Sequence, residues 1–283
     1  MPVSRQNDDT EGPAPGTKSE TVDRAFVVAL AKGLRVLEAF TVERRWLSNA
    51  NIAERARLPK PTVTRFTKAL VAGGYLSFDS GRRQYCLGTG VLALGYAGRV
   101  GNNVSEGVRP YLQRLADDFG VHAALVGRDK TNVIHLEVCR SADRLTTLQL
   151  DIGSRIPLAG TASGHALLSR IPEQERDYLL SYLAARHEKH WEQLEAEIRA
   201  GLKQVETVGY ASSVHGWQAG ITGVAAPGGA REAAPALAIS GGGPSHYLPA
   251  DRMPMIGERL VADAARIVAE LAQKRADRQR DES

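Results

Sequence analysis

The chain has 283 residues, of which 43% are hydrophobic and 24% charged, with a formal net charge of +4 at pH 7. This composition is that of an ordinary globular protein, and the length favours two domains over a single core. No run of about 18 or more apolar residues exists, which excludes a transmembrane helix. The first residues lack the apolar stretch of a signal peptide. Cys86 and Cys139 lie far apart without metal-ligand spacing, which predicts a reducing, cytoplasmic setting and no metal site.

The positive charge is concentrated in one part of the sequence. Residues 1–23 are rich in Pro, Gly, Ser and acidic residues, which predicts a disordered tail. Between Arg24 and Arg99 there are thirteen Lys or Arg residues and four acids, whereas residues 100–283 carry twenty-one bases and twenty-three acids. This asymmetry is typical of a module that binds a polyanion, joined to a neutral one.

The first two predicted helices lie in the basic part. Residues 24–40 place four apolar residues at helical spacing, which predicts an amphipathic helix: Leu30, Leu34, Leu37 and Phe40. Ser48 can cap a second helix that ends at Leu58, because a residue before proline disfavours helical geometry. The inner face of this second helix is predicted to consist of Ile52, Ala53 and Ala56.

A third helix is predicted between Pro61 and Gly73-Gly74. Proline suits the first turn, where its missing N–H has no partner, and the glycines can adopt the left-handed conformation that ends a helix. Its predicted inner stripe is Val63, Phe66 and Leu70. The side chains predicted to face away and contact DNA are Lys60, Thr62, Thr64, Arg65 and Lys68. A short helix, a tight turn and a second helix with a basic outer face form the helix-turn-helix arrangement, in which Arg can pair with guanine.

A β-hairpin is predicted directly after the third helix. Apolar residues alternate on both sides of the turn that begins at Asp79, and Arg82 and Arg83 lie at its tip. Paired arginines on such a wing can contact phosphates or the minor groove. A surface hairpin with two solvated arginines would look the same in isolation. The complete order of helix, turn, helix and hairpin predicts a winged helix-turn-helix domain that binds double-stranded DNA.

The second half of the sequence alternates β-rich and helical runs. Strands are predicted over residues 122–128, 133–138, 145–150, 223–227 and 236–240. Helices are predicted over residues 175–183, 191–209 and 251–275. This mixture of strands and helices predicts an antiparallel sheet flanked by helices, but it does not identify a ligand. Together with the N-terminal helices, it predicts an α+β protein.

Three stretches resemble signatures of the IclR family of bacterial transcription regulators. They are LPKPTVTRFTKALVAGGYL with RRQYCLGTGVLALGY, then IGSRIPLAGTASGHALLS, and finally GYASSVHGWQAGITGVAAP with LAISGGGP. The resemblance implies a winged-helix domain over residues 24–88, a linker helix over 89–104, a GAF-like effector-binding domain over 105–278 and a tail over 279–283. It also implies homodimers or homotetramers on palindromic operators. The stretch FVVALAKGLRVLEAF is similar to the branch that regulates aromatic-acid catabolism.

The resemblance further implies a site for a small organic acid. Carried over position by position, the site falls on Ala162, Ser163, Ser213, Ile221, Gly223, Ser240 and Gly242. Ala162 and Ser163 begin a helix, where free N–H groups suit a carboxylate. Gly242 stands where the family often has a second Ser, and Gly223 where a side chain such as Cys can occur. One interpretation is a roomier, less polar pocket for an aromatic or branched carboxylate; the other is that both glycines relieve crowding in their strands.

Patterns of catalytic and cofactor sites fail on their spacing. The serine in GTASG does not match the nucleophile elbow of hydrolases, and HEKH is one residue short of the zinc motif H-E-x-x-H. The glycine clusters GTG and GGG do not match dinucleotide- or phosphate-binding loops. We therefore expect a ligand-responsive regulator with no catalytic residues, no cofactor and no metal. The alternative is a GAF-like enzyme or small-molecule carrier in which the winged helix serves mainly for dimerisation.

Overall fold

The computed structural model describes residues 18–101, 104–141, 148, 150–229 and 236–281. The chain divides into two compact units, Met1–Gly98 and Arg99–Ser283. Among the described residues, the first unit holds three helices, a two-stranded hairpin and most of a fourth helix, and the second holds a six-stranded antiparallel sheet with helices, which confirms the predicted α+β class. No helix in the described ranges is long and apolar enough to cross a membrane.

The N-terminal unit follows the predicted order of elements. These are α1 (Lys18–Leu37), α2 (Asn49–Ala56), α3 (Lys60–Ala72), β1 (Leu76–Asp79) and β2 (Gln84–Leu87), followed by α4 (Thr89–Gly101). Helix α1 begins six residues before its predicted start, because the segment KSETVD contains no Gly or Pro that would interrupt it. Residues 18–23 of the predicted tail therefore belong to a helix, and residues 1–17 lie outside the described residues.

The ends of α2 and α3 are set by the residues that the sequence indicates. Ser48 Oγ accepts the Asn51 N–H at 3.2 Å, and the Asn51 side chain accepts the Ser48 N–H at 3.3 Å, which together form a capping box. Helix α3 has Pro61 in its first turn and Gly73 as its C-cap, with Gly74 at a φ of 75°. Both helices are thus confirmed, and the tight turn between them is made by Arg57 in the left-handed region.

Side-chain burial in this unit differs from the sequence prediction at two places. On α1, Leu30 and Leu34 are 61% and 51% exposed, so the apolar stripe of that helix is largely uncovered in the single chain. On α3, Thr67 is fully buried whereas Phe66 is only partly buried. Thr67 can be buried because its hydroxyl donates to the Thr64 carbonyl at 3.2 Å, which satisfies the polar group.

The C-terminal unit is built on one antiparallel sheet. Its strands are β3 (His122–Asp129), β4 (Asn132–Arg140), β5 (Arg155–Pro157), β6 (Ala211–Val214), β7 (Ile221–Gly228) and β8 (Leu237–Pro244), in the order β5-β4-β3-β8-β7-β6. The strand predicted over residues 145–150 falls mostly outside the described residues. Its described members, Leu148 and Leu150, lie in no strand, and the Leu150 carbonyl accepts hydrogen bonds from the His122 ring and the Arg140 side chain instead of from a neighbouring strand.

Helices cover both faces of this sheet. They are α5 (Val104–Phe119), α6 (Ala162–Leu168), α7 (Glu173–Arg186), α8 (Trp191–Val208) and α9 (Met253–Asp281). Alternate strand residues point to opposite faces: Ala123 and Leu125 pack with α5 and α9, whereas Ala124 and Val126 pack with α6, α7 and α8. The predicted helices over 175–183, 191–209 and 251–275 are therefore present. Helix α9 includes residues 279–281 of the predicted tail, and residues 282–283 lie outside the described part.

Candidate effector site and DNA-binding surface

Four residues form one row across the strands of the C-terminal sheet. Ser213 in β6 is paired with Gly223 in β7, Gly223 with Gly242 in β8, and Gly242 with His122 in β3. Directly paired residues share a face of the sheet. Because neighbouring strands lie about 4.8 Å apart, this cross-strand row spans about 14 Å. It carries a polar side chain at each end and none at its centre.

The next row on the same face also consists of small residues. It comprises Ala124, Ser240, Ala225 and Ala211. Helix α6 lies over this surface, since a Cβ placed on Gly223 would be 3.8 Å from the Cβ of Ala162. The two rows are thus the floor, and the start of α6 is a wall, of an open space in the C-terminal unit.

All seven residues predicted for the effector site line this single cavity. They are Ala162, Ser163, Ser213, Ile221, Gly223, Ser240 and Gly242. The cavity has a volume of about 460 Å³ including the solvent at its mouth. The sequence interpretation did not select several other lining residues: His122, His135, Leu148, Leu150, Ile156, Thr161 and Trp217.

The start of α6 is fixed by local hydrogen bonds. Thr161 Oγ1 accepts the Gly164 N–H at 3.0 Å, and the Thr161 carbonyl accepts the His165 N–H at 3.0 Å. Helix geometry leaves the N–H groups of Ala162 and Ser163 without an intrahelical acceptor. The Ser213 hydroxyl donates to the Gly160 carbonyl at 3.0 Å and so ties β6 to the segment before the helix. The result is a pair of backbone donors held at the edge of the cavity.

The residues predicted to contact DNA lie on two elements of the N-terminal unit. On α3, Thr62 is partly buried and the other four are exposed: Lys60, Thr64, Arg65 and Lys68. The Thr64 hydroxyl is not free: it donates to the Lys60 carbonyl at 3.0 Å and accepts from Asn49 Nδ2 at 3.1 Å. Asn49, which the sequence interpretation missed, thereby fixes the orientation of Thr64 from helix α2.

The two arginines of the hairpin differ in their surroundings. Arg82 lies 5.1 Å from the centre of the Trp46 ring, and its Nε is 3.7 Å from Asp79 Oδ2. Arg83 occupies the left-handed region at a φ of 54° and is exposed. The hairpin tip is therefore basic as predicted, but one of its arginines is already engaged by a carboxylate and an aromatic ring.

Both units match known protein families. Residues 29–80 match the family model of the IclR helix-turn-helix domain, and residues 100–269 match that of the bacterial transcriptional regulator IclR C-terminal domain. The chain belongs to the IclR family of bacterial transcription regulators. The predicted resemblance is thus confirmed, and the families and relatives of this IclR protein are regulators of transcription and not enzymes.

Three similar proteins illustrate the range of the IclR family. The HTH-type transcriptional regulator TsaQ1/TsaQ2 of Comamonas testosteroni is 32% identical over 201 residues, which are 71% of this chain and 72% of that protein. A crystal structure of an IclR family transcriptional regulator from Brucella abortus is 35% identical, with a TM-score of 0.79 over 89% of this chain and 95% of that one. An IclR homolog from Microbacterium hydrocarbonoxydans, complexed with 4-hydroxybenzoate, has the same fold at 23% identity, with a TM-score of 0.67 over 87% and 99% of the two chains.

The two glycines of the cross-strand row are not required by crowding in this IclR protein. A Cβ on Gly242 would meet the Thr222 carbonyl oxygen at 3.5 Å and Leu148 Cδ2 at 3.9 Å, and a Cβ on Gly223 would meet nothing closer than 3.8 Å. These are ordinary contact distances, and neither residue has a positive φ. The relief of crowding in the strands therefore does not explain either glycine.

Two buried histidines stand on the cavity wall. His122 and His135 are each 3% exposed, and their rings meet edge to face with centroids 5.8 Å apart. His122 Nε2 lies 2.8 Å from the Leu150 carbonyl, and His135 Nδ1 lies 3.0 Å from the Ser154 carbonyl. Burial lowers the pKa of both rings, that of His135 to about 4. Both are therefore neutral near pH 7, and the nitrogens that face the carbonyls carry the protons.

Neither a side-chain cation nor a metal-binding cluster is found among the described residues of this cavity. Among the described residues that line the cavity none is Lys or Arg, so an acidic ligand would meet backbone N–H groups and hydroxyls of these residues instead of a side-chain cation. Across the described ranges, no cluster of three or more His, Cys, Asp or Glu could hold a metal ion, and Cys86 and Cys139 are free thiols. The cavity is equipped to bind a small molecule by hydrogen bonds and apolar contact.

Proposed function

We propose that this IclR-family regulator binds a palindromic operator as a homodimer or homotetramer and responds to a small aromatic or branched carboxylate bound in the cavity beside α6. The observation that supports the effector site is the convergence of all seven predicted residues on one cavity. The DNA-binding role rests on the exposed basic face of α3 and the arginine-tipped hairpin.

The carboxylate is assigned to the start of α6. The N–H groups of Ala162 and Ser163 are donors without intrahelical acceptors, and hydrogen bonds to an ionised acceptor are stronger than neutral ones. The apolar body of the ligand would lie over Gly223 and Gly242, where the floor has no side chains. Leu148, Leu150, Ile156 and Trp217 supply the surrounding apolar wall. The IclR homolog from Microbacterium hydrocarbonoxydans is complexed with an aromatic acid, 4-hydroxybenzoate, which supports this class.

Calorimetry on the full-length protein tests the effector class. We expect benzoates or branched acids to bind more tightly than glyoxylate and pyruvate, which are too small to contact the apolar wall. Gly223→Val should weaken binding of the aromatic acids, because its side chain would occupy the floor. Gly228→Val, at the far end of the same strand and outside the cavity lining, is the matched control. Glyoxylate or pyruvate binding more tightly than every larger acid would overturn the proposed class.

Self-association is assigned to the exposed apolar residues of the N-terminal unit. On α1, Leu30 and Leu34 are more than half exposed, and on α4, Leu92 and Tyr96 are 74% and 67% exposed. Large apolar side chains grouped on two helices favour coverage by another copy of the chain. A dimer also doubles the number of base pairs that are read, since one recognition helix spans only one half-site. Light scattering should show a dimer or tetramer, and Leu30→Lys should shift it towards the monomer.

A gel shift separates regulation from mere binding of a small molecule. The DNA upstream of the gene should be retarded by the protein, and the effector should change the retardation. Arg83→Ala should flatten the dependence of DNA affinity on salt more than Arg82→Ala, because Arg82 is already engaged by Asp79 and Trp46. A protein that binds the acid but no DNA at any salt concentration would instead support the carrier alternative.

A further inference from the structure

Each cavity histidine uses only one of its two ring nitrogens in the fold. His122 donates through Nε2 to the Leu150 carbonyl, and His135 donates through Nδ1 to the Ser154 carbonyl. Among the described residues, the other two nitrogens, His122 Nδ1 and His135 Nε2, have no hydrogen-bond partner. Since both residues line the cavity, these two atoms add to the hydroxyls and backbone N–H groups that a ligand can meet there.

The chemistry of these two nitrogens is that of acceptors. A neutral imidazole carries one N–H and one lone pair, so a ring that donates through one nitrogen can only accept through the other. Two lone pairs on one wall repel a carboxylate and favour a group that donates a hydrogen bond. The loop residues Leu150 and Ser154 fix which nitrogen carries the proton, and the His135 backbone N–H also donates to the Ser154 carbonyl at 3.0 Å.

The histidines also lie away from the proposed carboxylate position. His122 ends the cross-strand row on β3, whereas Gly223, which lies against Ala162, is on β7. One strand, β8, separates them, so the two positions are about 10 Å apart across the sheet. The side-chain-free part of the floor lies between. A flat ring over Gly242 would therefore direct one substituent to α6 and the opposite one to the histidines.

We propose that His122 and His135 form a hydroxyl-accepting wall and select aromatic carboxylates that carry a hydroxyl group remote from the carboxylate. This inference rests on the proposed carboxylate effector and adds a second recognition point to the same cavity. It assigns a ligand-contacting role to two residues that otherwise only anchor the 150–154 loop.

Matched ligands test the wall in the full-length protein. Calorimetry would compare 4-hydroxybenzoate with 4-fluorobenzoate, which is similar in size but has no donor, and would repeat the comparison for the 3-substituted acids. A neutral hydrogen bond contributes about 0.5–1.5 kcal/mol, so we expect the better hydroxybenzoate to bind about two- to twelvefold more tightly than its fluoro counterpart.

Two variants remove the acceptors while keeping the loop anchors. In His135→Asn the amide nitrogen can still donate to Ser154, and in His122→Gln it can still donate to Leu150, but neither offers the ring lone pair. Each should reduce the hydroxyl preference to less than about twofold, because 4-hydroxybenzoate should lose more affinity than 4-fluorobenzoate. His187→Asn, an exposed histidine outside the cavity, should keep the full preference.

The outcomes separate this inference from the proposed function. Binding of benzoates without any advantage for the hydroxyl, or an advantage that survives in both cavity variants, would overturn the histidine assignment alone. Failure of all carboxylates to bind would overturn the proposed effector class and this inference with it. If a variant does not fold, ring ¹⁵N signals of the wild-type histidines decide: they should move with 4-hydroxybenzoate and not with 4-fluorobenzoate, and unmoved signals would refute the assignment.

Discussion

Mild acid should destabilise the C-terminal unit, because two of its buried histidines resist protonation in the folded state. Burial lowers the pKa of His135 and of His165 to about 4, compared with an ordinary value of 6.5. His165 on α6 is the more extreme case, since both of its ring nitrogens are buried with no hydrogen-bond partner among the described residues. A proton added there would have neither solvent nor an acceptor.

The sign and size of the effect follow from proton linkage. Above about pH 6.5 both histidines are neutral in the folded and the unfolded chain, so they contribute no pH dependence. Between about pH 6.5 and pH 4 the unfolded chain binds protons that the folded chain does not, and the free energy of unfolding falls with pH. At pH 5 this amounts to about 2 kcal/mol for each histidine, at about 1.4 kcal/mol per pH unit. The sum is a large fraction of the roughly 5–15 kcal/mol of an ordinary domain.

Urea unfolding at pH 7 and pH 5 measures the effect. Fluorescence of Trp191 and Trp217 in a Trp46→Phe background reports on the C-terminal unit alone. His165→Leu removes one titrating ring at similar volume and should reduce the loss between the two pH values by about 2 kcal/mol, whereas the exposed His187→Asn should not change it. Carboxylates also titrate in this range, so the difference between variants is decisive. An unchanged loss in His165→Leu would refute the reasoning.

Four further substitutions probe separate parts of the molecule. Gly201→Ala should lower the free energy of unfolding by more than about 2 kcal/mol, since its Cβ would lie 2.2 Å from a ring atom of His165. Gly95→Ala, whose Cβ would have nothing within 4 Å, should raise the free energy of unfolding by about 0.5–1 kcal/mol. Urea unfolding that gives both variants the same stability would contradict this. Gly242→Ser should leave stability within about 0.5 kcal/mol of the wild type but shift the calorimetric ranking towards smaller acids, and an unchanged ranking would count against the roomier pocket. Arg65→Ala should cost about 1–3 kcal/mol of discrimination between operator variants in competitive anisotropy, and equal weakening on all sequences would reassign Arg65 to phosphate contact.

The helices of the N-terminal unit were predictable because their ends are set by local chemistry. Ser48 and Pro61 act on backbone groups within the first turn of their own helices, so no distant contact is needed to place α2 and α3. The burial of a helix face, unlike the position of the helix ends, depends on residues that are distant in the sequence. The spacing of Leu30 and Leu34 predicts an apolar stripe, but only tertiary packing decides that Thr67 is buried and these leucines are not. Periodicity identifies a face without identifying what lies against it.

The effector cavity could be predicted from the sequence only in part, and the missing part depends on strand register. Ser213, Gly223 and Gly242 were selected through resemblance to family signatures, but nothing along the chain places His122 beside them. That neighbour arises because β3 pairs with β8, more than a hundred residues later, and because the register sets His122 opposite Gly242. A histidine in a strand of Ala, Leu and Val looks like a core residue until this pairing is known. In the proposed complex the open floor and the polar wall are one arrangement: the glycines would make room for a ring, and the histidine at the end of the same row would meet the substituent that the ring carries. A sequence comparison that scores each position separately would miss this dependence, so variation at Gly242 should be interpreted together with the residue at position 122.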